Sequence, residues 1–185
     1  MLYRSRKVMA LWAGMLTAVA CVLGAVAPSA SAAPAAKAGF YTVAAGGVAS
    51  VSPAAIPNCG KGVGVRKVVA TYKAKRIGSG GYRTDTLYCG VGGDHGYGYR
   101  HLEPHVDEYF GGWQNFSFSI AQTLKAPASV TKQSNGNYLE KAPIYQCFYE
   151  GYYYIWTFSV VPVIKSGSIV TAYGSRGKRV NAPCP

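Results

Sequence analysis

The first thirty-two residues constrain everything that follows them. Arg4, Arg6 and Lys7 open the chain, an apolar stretch runs from Val8 to about Val26, and Ala30-Ser31-Ala32 places small residues at signal-peptidase spacing. A basic start, an apolar middle and an A-x-A end make a cleavable export signal of bacterial type, not a structural helix. The competing reading is a retained membrane anchor. No stop-transfer pattern follows the small residues, and no later segment approaches the roughly 20 apolar residues of a spanning helix. The expectation is a secreted, extracellular protein with residues 1–32 as signal peptide and no transmembrane segment after it.

Export brings the cysteines into play. Cys21 lies inside the signal, which leaves Cys59, Cys89, Cys147 and Cys184. An even number in an oxidising compartment reads as two disulfides. Their separations of 30, 58 and 37 residues contain no C-x-x-C pair, which disfavours a zinc site. Four cysteines allow three pairings, and spacing does not choose among them. A bond at Cys184 would tie down a tail that otherwise frays.

Cleavage after Ala32 leaves 153 of the 185 residues, enough for one domain with a core. Three of the 19 basic side chains go with the signal, so 16 face 7 acidic ones. That excess points to an anionic partner: nucleic acid, anionic lipid or a cell-wall polyanion. The bland alternative is a soluble surface that happens to be basic.

Composition divides the remainder into a flexible Ala/Pro/Gly/Ser-rich linker at 33–57 and a single α+β domain at 58–185. A β-rich part occupies 58–95. Gly62 to Tyr72 is rich in β-branched residues and reads as a strand closed by Lys73, Lys75 and Arg76; Tyr82 to Cys89 reads as a second. Five glycines between Gly90 and Gly98 make a loop able to bend sharply or approach a ligand closely. Glu103-Pro104 suits a helix start, with Val106, Tyr109 and Phe110 on one face and Gly111-Gly112 as its stop. Asn115 can cap a second helix carrying Phe116, Ile120 and Leu124, which Ala126-Pro127 ends. Strands follow at Ser129–Lys132, Ile144–Tyr149, Tyr152–Ile164 and Ser168–Tyr173, with turns at Asn135-Gly136-Asn137 and Lys165-Ser166-Gly167. The expected fold is therefore α+β: two short helices followed by a four-stranded antiparallel sheet, with an N-terminal β-rich extension and two disulfides. The run Tyr145, Tyr149, Tyr152, Tyr153 and Tyr154 reads as ordinary sheet residues, with a base-stacking platform as the rival.

The three histidines, His95, His101 and His105, fall within eleven residues. Imidazole suits proton donation and acceptance near neutrality. A metal site is disfavoured because the pattern is H-x-E-x-H, Pro104 disturbs the turn, and no third ligand stands out. Backbone hydrogen bonding is the structural alternative. The remaining reading is metal-free acid/base chemistry. Arg100 is adjacent, and Thr171 and Tyr173, two apart on a strand, share a face. No paired carboxylates stand out among seven acids, Gly60-Lys61-Gly62 lacks P-loop spacing, and no G-x-S-x-G elbow appears.

Gly96-Tyr97-Gly98-Tyr99-Arg100-His101-Leu102-x-x-His105, followed by Phe116, Ile120 and Pro127 and a hairpin ending Ile169-Val170-Thr171-Ala172-Tyr173, resembles the toxin ribonucleases of the barnase/EndoU/colicin E5-D/RelE superfamily. The toxin domains that end contact-dependent inhibition proteins are similar. The resemblance covers roughly Tyr97 to Gly174, within a ribonuclease-like part at 96–185. It implies RNA cleavage without metal or cofactor, by attack of the ribose 2′-OH on phosphorus. His101 would act as base or acid with His105 as its partner, Thr171 and Tyr173 would bind phosphate, and Arg100 or Lys165 would supply charge. RNA is then the substrate and an immunity protein a possible partner of a monomeric enzyme. The chain departs from the pattern in being exported alone, in its segment Phe40 to Cys89 and in its four cysteines. The rival is a non-catalytic secreted protein that binds cell-envelope polymers or another anionic partner. A secreted inhibitor or antimicrobial ranks last.

Overall fold

The computed structural model describes residues 39–41, 43–44, 47–48, 55–110, 112–148 and 150–184. The expected export signal lies outside the described residues, as does most of the expected linker. In chain order the elements are β1 (Gly39–Tyr41), β2 (Val43–Ala44), β3 (Gly47–Val48), β4 (Val68–Lys75), β5 (Tyr82–Tyr88), α1 (Tyr99–Phe110), α2 (Trp113–Lys125), β6 (Ser129–Lys132), β7 (Tyr138–Phe148), β8 (Tyr152–Val163) and β9 (Ser168–Val180).

The α+β class holds, but the four-stranded antiparallel sheet does not. The strands form one mixed sheet of seven, ordered β1-β7-β8-β9-β5-β4 with β6 also on β7, while β2 and β3 pair separately. β1 and β6 share the outer edge of β7, opposite Tyr145–Cys147 and Tyr138–Lys141. The β4–β5 hairpin is therefore no separate extension. It joins through a single parallel pairing of Thr86 with Ser168, where the Thr86 N–H donates to the Gly167 carbonyl at 2.6 Å. Pro143 is tolerated within β7 because its nitrogen faces that outer edge in the gap between β6 and β1, where no ladder bond is missing.

One face of the sheet is packed by the helices. Ile144, Trp156, Phe158, Val160 and Ala172 alternate onto it and meet Phe116, Ile120 and Leu124, which recur at i, i+4 and i+8 on α2 and are fully buried. Each such side chain contributes roughly 1.5–3 kcal/mol by burial. α2 begins at Trp113, two residues before the expected Asn115 cap, with Gly112 at the cap position. Packing explains the extra turn: Trp113 is buried edge-on against Tyr99 at 5.1 Å and beside Phe116.

The core face also holds charge. Arg83 on β5 reaches Asp85 at 2.8 Å and Glu140 of β7 at 2.5 Å, and donates to the Lys75 carbonyl. Both carboxylates are fully buried. Burial raises the Glu140 carboxyl above its ordinary value; Arg83 opposes that rise and Asp85 adds to it. Burial likewise raises the Tyr72 phenol, against a hydrogen bond with Ser117.

The cysteines pair as Cys59–Cys89 and Cys147–Cys184. The first ties the chain before β4 to the end of β5, and the second fastens the C-terminal tail to β7. Such bonds fit an oxidising, extracellular-type environment. Among the described residues no helix is long and apolar enough to cross a membrane.

Candidate functional site

α1 starts four residues earlier than its sequence predicts, and Pro104 lies inside it. Gly98 sets the start. Its φ is +74°, and a Cβ there would lie 2.5 Å from the Tyr88 carbonyl oxygen. Its N–H donates to Val170 at 2.9 Å, and its carbonyl accepts from His101 and Leu102. The first turn is thus closed before Pro104, which removes one later bond only.

His101 and His105 stand one turn apart on α1, both partly exposed, next to the buried Leu102 and Val106. His101 Nδ1 lies 2.9 Å from the Gly93 carbonyl. A carbonyl only accepts, so the neutral ring carries its proton on Nδ1 and leaves the Nε2 lone pair free to accept. His95 is exposed in the preceding loop. Among the described residues no three His, Cys, Asp or Glu side chains come together as a metal site.

Arg100 is engaged elsewhere. Its guanidinium donates to the carbonyls of Cys59 at 2.8 Å, Gly90 at 2.7 Å, Gly60 at 3.1 Å and Val63 at 2.5 Å. It ties the 59–63 segment to α1, and its donors are not available to a phosphate without breaking that tie.

Thr171 and Tyr173 share a face of β9, opposite Val161 and Ser159. Ala172 between them points into the helix-packed core, so these two side chains point to the other side of the sheet from α1. The structure pairs the histidines with each other and Thr171 with Tyr173, but it does not bring the two pairs onto one surface. Lys165 is exposed in the β8–β9 turn and lines a depression with Lys132, Asn135 and Tyr138.

A different constellation forms at the far end of β7, β8 and β9. Phe148, Tyr152 and Tyr154 continue the core face beyond the helices and stay half-buried. Phe148 stacks on Tyr152 with centroids 4.7 Å apart and meets Tyr154 edge-on at 5.9 Å. The Arg179 guanidinium lies 3.9 Å over the Tyr152 ring, and that of Arg176 lies 3.8 Å over Tyr154. A register shift makes this possible: Tyr154 pairs with Arg179 but Trp156 with Arg176, so β9 carries one extra residue and both arginines reach ring faces. Desolvation first, and then Glu150, raise the Tyr152 phenol, with Arg179 opposing. The rings flatten two exposed guanidiniums that have no carboxylate partner among the described residues. The tyrosine run signals this surface in the sequence. The arginines carry no such signal, because their position depends on the bulge.

Comparison with protein-family models, with curated proteins and with solved structures finds no match to this chain.

Proposed function

We propose that this is an exported, disulfide-bonded protein that binds an anionic polymer of the cell envelope through Arg176 and Arg179. The observation that carries the reading is the pair of guanidiniums laid flat on Tyr154 and Tyr152. Stacking fixes the forks before a ligand arrives, so less side-chain freedom is lost on forming charge-assisted bonds to phosphate, sulfate or carboxylate. The composition supports it, since Asp85 and Glu140, two of only seven acids, are already held by Arg83 in the interior.

Binding of purified wall polymer, with heparin as a reference polyanion, tests this. Affinity is expected to fall steeply with added salt. Arg176→Ala with Arg179→Ala is expected to weaken binding by about tenfold or more, and His101→Ala to leave it unchanged. Salt-independent binding, or full binding by the double variant, would overturn the reading.

A metal-independent ribonuclease of the toxin superfamily is the second reading. One observation favours it: the Gly93 carbonyl holds His101 in the tautomer a general base needs. RNA and its all-deoxy analogue, incubated with the protein in EDTA, decide it. Cleavage of RNA alone, lost in His101→Ala, would support this reading; intact RNA would sink it.

A further inference from the structure

The turn end of the sheet carries a groove that the arginine-platform reading does not use and from which the ribonuclease reading takes Lys165 alone. Its first depression, about 460 Å³, opens between the β6–β7 and β8–β9 turns and holds Lys132 and Lys165. Tyr138 and Ile164 also line the second, about 340 Å³, whose cations are Arg76 and Arg83. Those two arginines in turn line a third, about 600 Å³, which reaches Lys73. Shared lining residues place the three side by side across the ends of β7, β8, β5 and β4.

We propose that this groove is a second anion site, separate from Arg176 and Arg179, and that it takes a linear polyphosphate chain. Among the described residues no Asp or Glu lines any of the three depressions. The nearest carboxylates, Asp85 and Glu140, are buried behind Arg83, whose side chain is 12% exposed and turned inward to them. The Arg83 charge is therefore already matched by its own carboxylates, and Lys73, Arg76, Lys132 and Lys165 are the charges a ligand meets.

The groove suits phosphate charge more than bases. Three of its four available cations are lysines, compact charges that accept a tetrahedral phosphate from any direction. Tyr82, exposed at the third depression, has its ring capped by the Lys73 ammonium at 4.2 Å, which takes away a stacking face. A repeating phosphate chain matches a row of point charges, whereas a nucleic acid also needs somewhere to put its bases.

The groove stands apart from the arginine platform. β8 runs twelve residues from one to the other, about 35 Å at strand rise. Only one consequence rests on the platform reading: a molecule with both sites can bridge two polymer segments.

Calorimetric titration of the disulfide-intact protein with inorganic tripolyphosphate, and then with longer linear polyphosphate, tests the groove. The triple variant Arg76→Gln, Lys132→Gln, Lys165→Gln is expected to weaken tripolyphosphate binding by at least about tenfold. Arg176→Ala with Arg179→Ala is expected to leave it within about twofold. The double variant Lys132→Gln, Lys165→Gln touches exposed turn-end residues only and keeps the test valid should the triple variant misfold; it is expected to show a smaller loss in the same direction. Unchanged binding in the groove variants would overturn the proposal. So would displacement of polyphosphate by a thymidine oligonucleotide of equal charge at lower concentration, which would assign the groove to nucleic acid. Loss of wall-polymer binding in the arginine variant alone, with tripolyphosphate binding intact, would bear on the platform and leave the groove standing.

Discussion

At the scale of single residues, two arginines decide how the chain uses its charge. Arg100, with four backbone carbonyls, acts as a tie between the Cys59–Val63 segment and the first turn of α1. Arg83 has the opposite task of making two buried carboxylates tolerable. Removing such a partner leaves an uncompensated charge, which is why buried pairs are costly to break. Within this cluster the Glu140 carboxyl holds its proton more tightly than usual. Its folded-state value is raised by burial above the ordinary 4.5. In the pH window just above that value the folded protein binds more protons than the unfolded chain, so stability falls as pH rises through the window. Glu140→Gln removes the titration. Denaturant unfolding at a series of pH values is expected to show a declining limb in the parent protein and a flatter one in the variant. Equal slopes in both would place the titration elsewhere.

At the scale of elements, what the sequence makes legible is what local chemistry specifies. The β8–β9 hairpin follows from Lys165-Ser166-Gly167, the buried stripe of α2 follows from Phe116, Ile120 and Leu124, and an even set of four cysteines outside the expected signal leads to two disulfides. The missing features are those set by distant partners. The parallel contact of β5 with β9 is a single register pair, Thr86 with Ser168, and no local pattern announces it. Thr171 and Tyr173 do share a face, but which side of the sheet they occupy depends on alternation fixed by the core, not by their spacing. Arg176 and Arg179 reach tyrosine rings only because β9 bulges. The start of α1 is the clearest case. Proline rules suggest Glu103, yet Gly98, wedged between Tyr88, Gly90 and Val170, begins the helix earlier and so fixes where His101 meets Gly93. Gly98→Ala combines a positive φ with a Cβ at 2.5 Å from a backbone oxygen. It is expected to cost about 2–4 kcal/mol, whereas Gly78→Ala, with positive φ but open space, is expected to cost about 1 kcal/mol. Equal costs, measured by urea unfolding, would show that the wedge does not set the helix.

At the scale of the whole molecule, the distribution of charge matters more than its total. The sequence carries 19 basic and 7 acidic side chains, and two of the acids are locked in the interior. Among the described residues the surface thus carries more cations than acids, with Arg176 and Arg179 near one end of the long strands and Lys132 and Lys165 near the other. Repulsion among cations in excess lowers the stability of the compact state and is screened by salt, over about 8 Å at 0.15 M. The Arg83 cluster is buried and is screened much less. Added sodium chloride is therefore expected to raise the melting temperature, by a few degrees between low salt and about 0.15 M. A polyanion that occupies either cationic end is expected to raise it further at the same ionic strength, because a ligand bound only to the folded state stabilises in proportion to its saturation. Differential scanning calorimetry across a salt series, with and without polyphosphate, reads both effects. A melting temperature that falls with salt would mean that attractive surface pairs outweigh the repulsion. A rise with salt but none with polyphosphate would mean that the groove cations are too dispersed to form a site, and the polyphosphate proposal would fail while the arginine platform kept its own test.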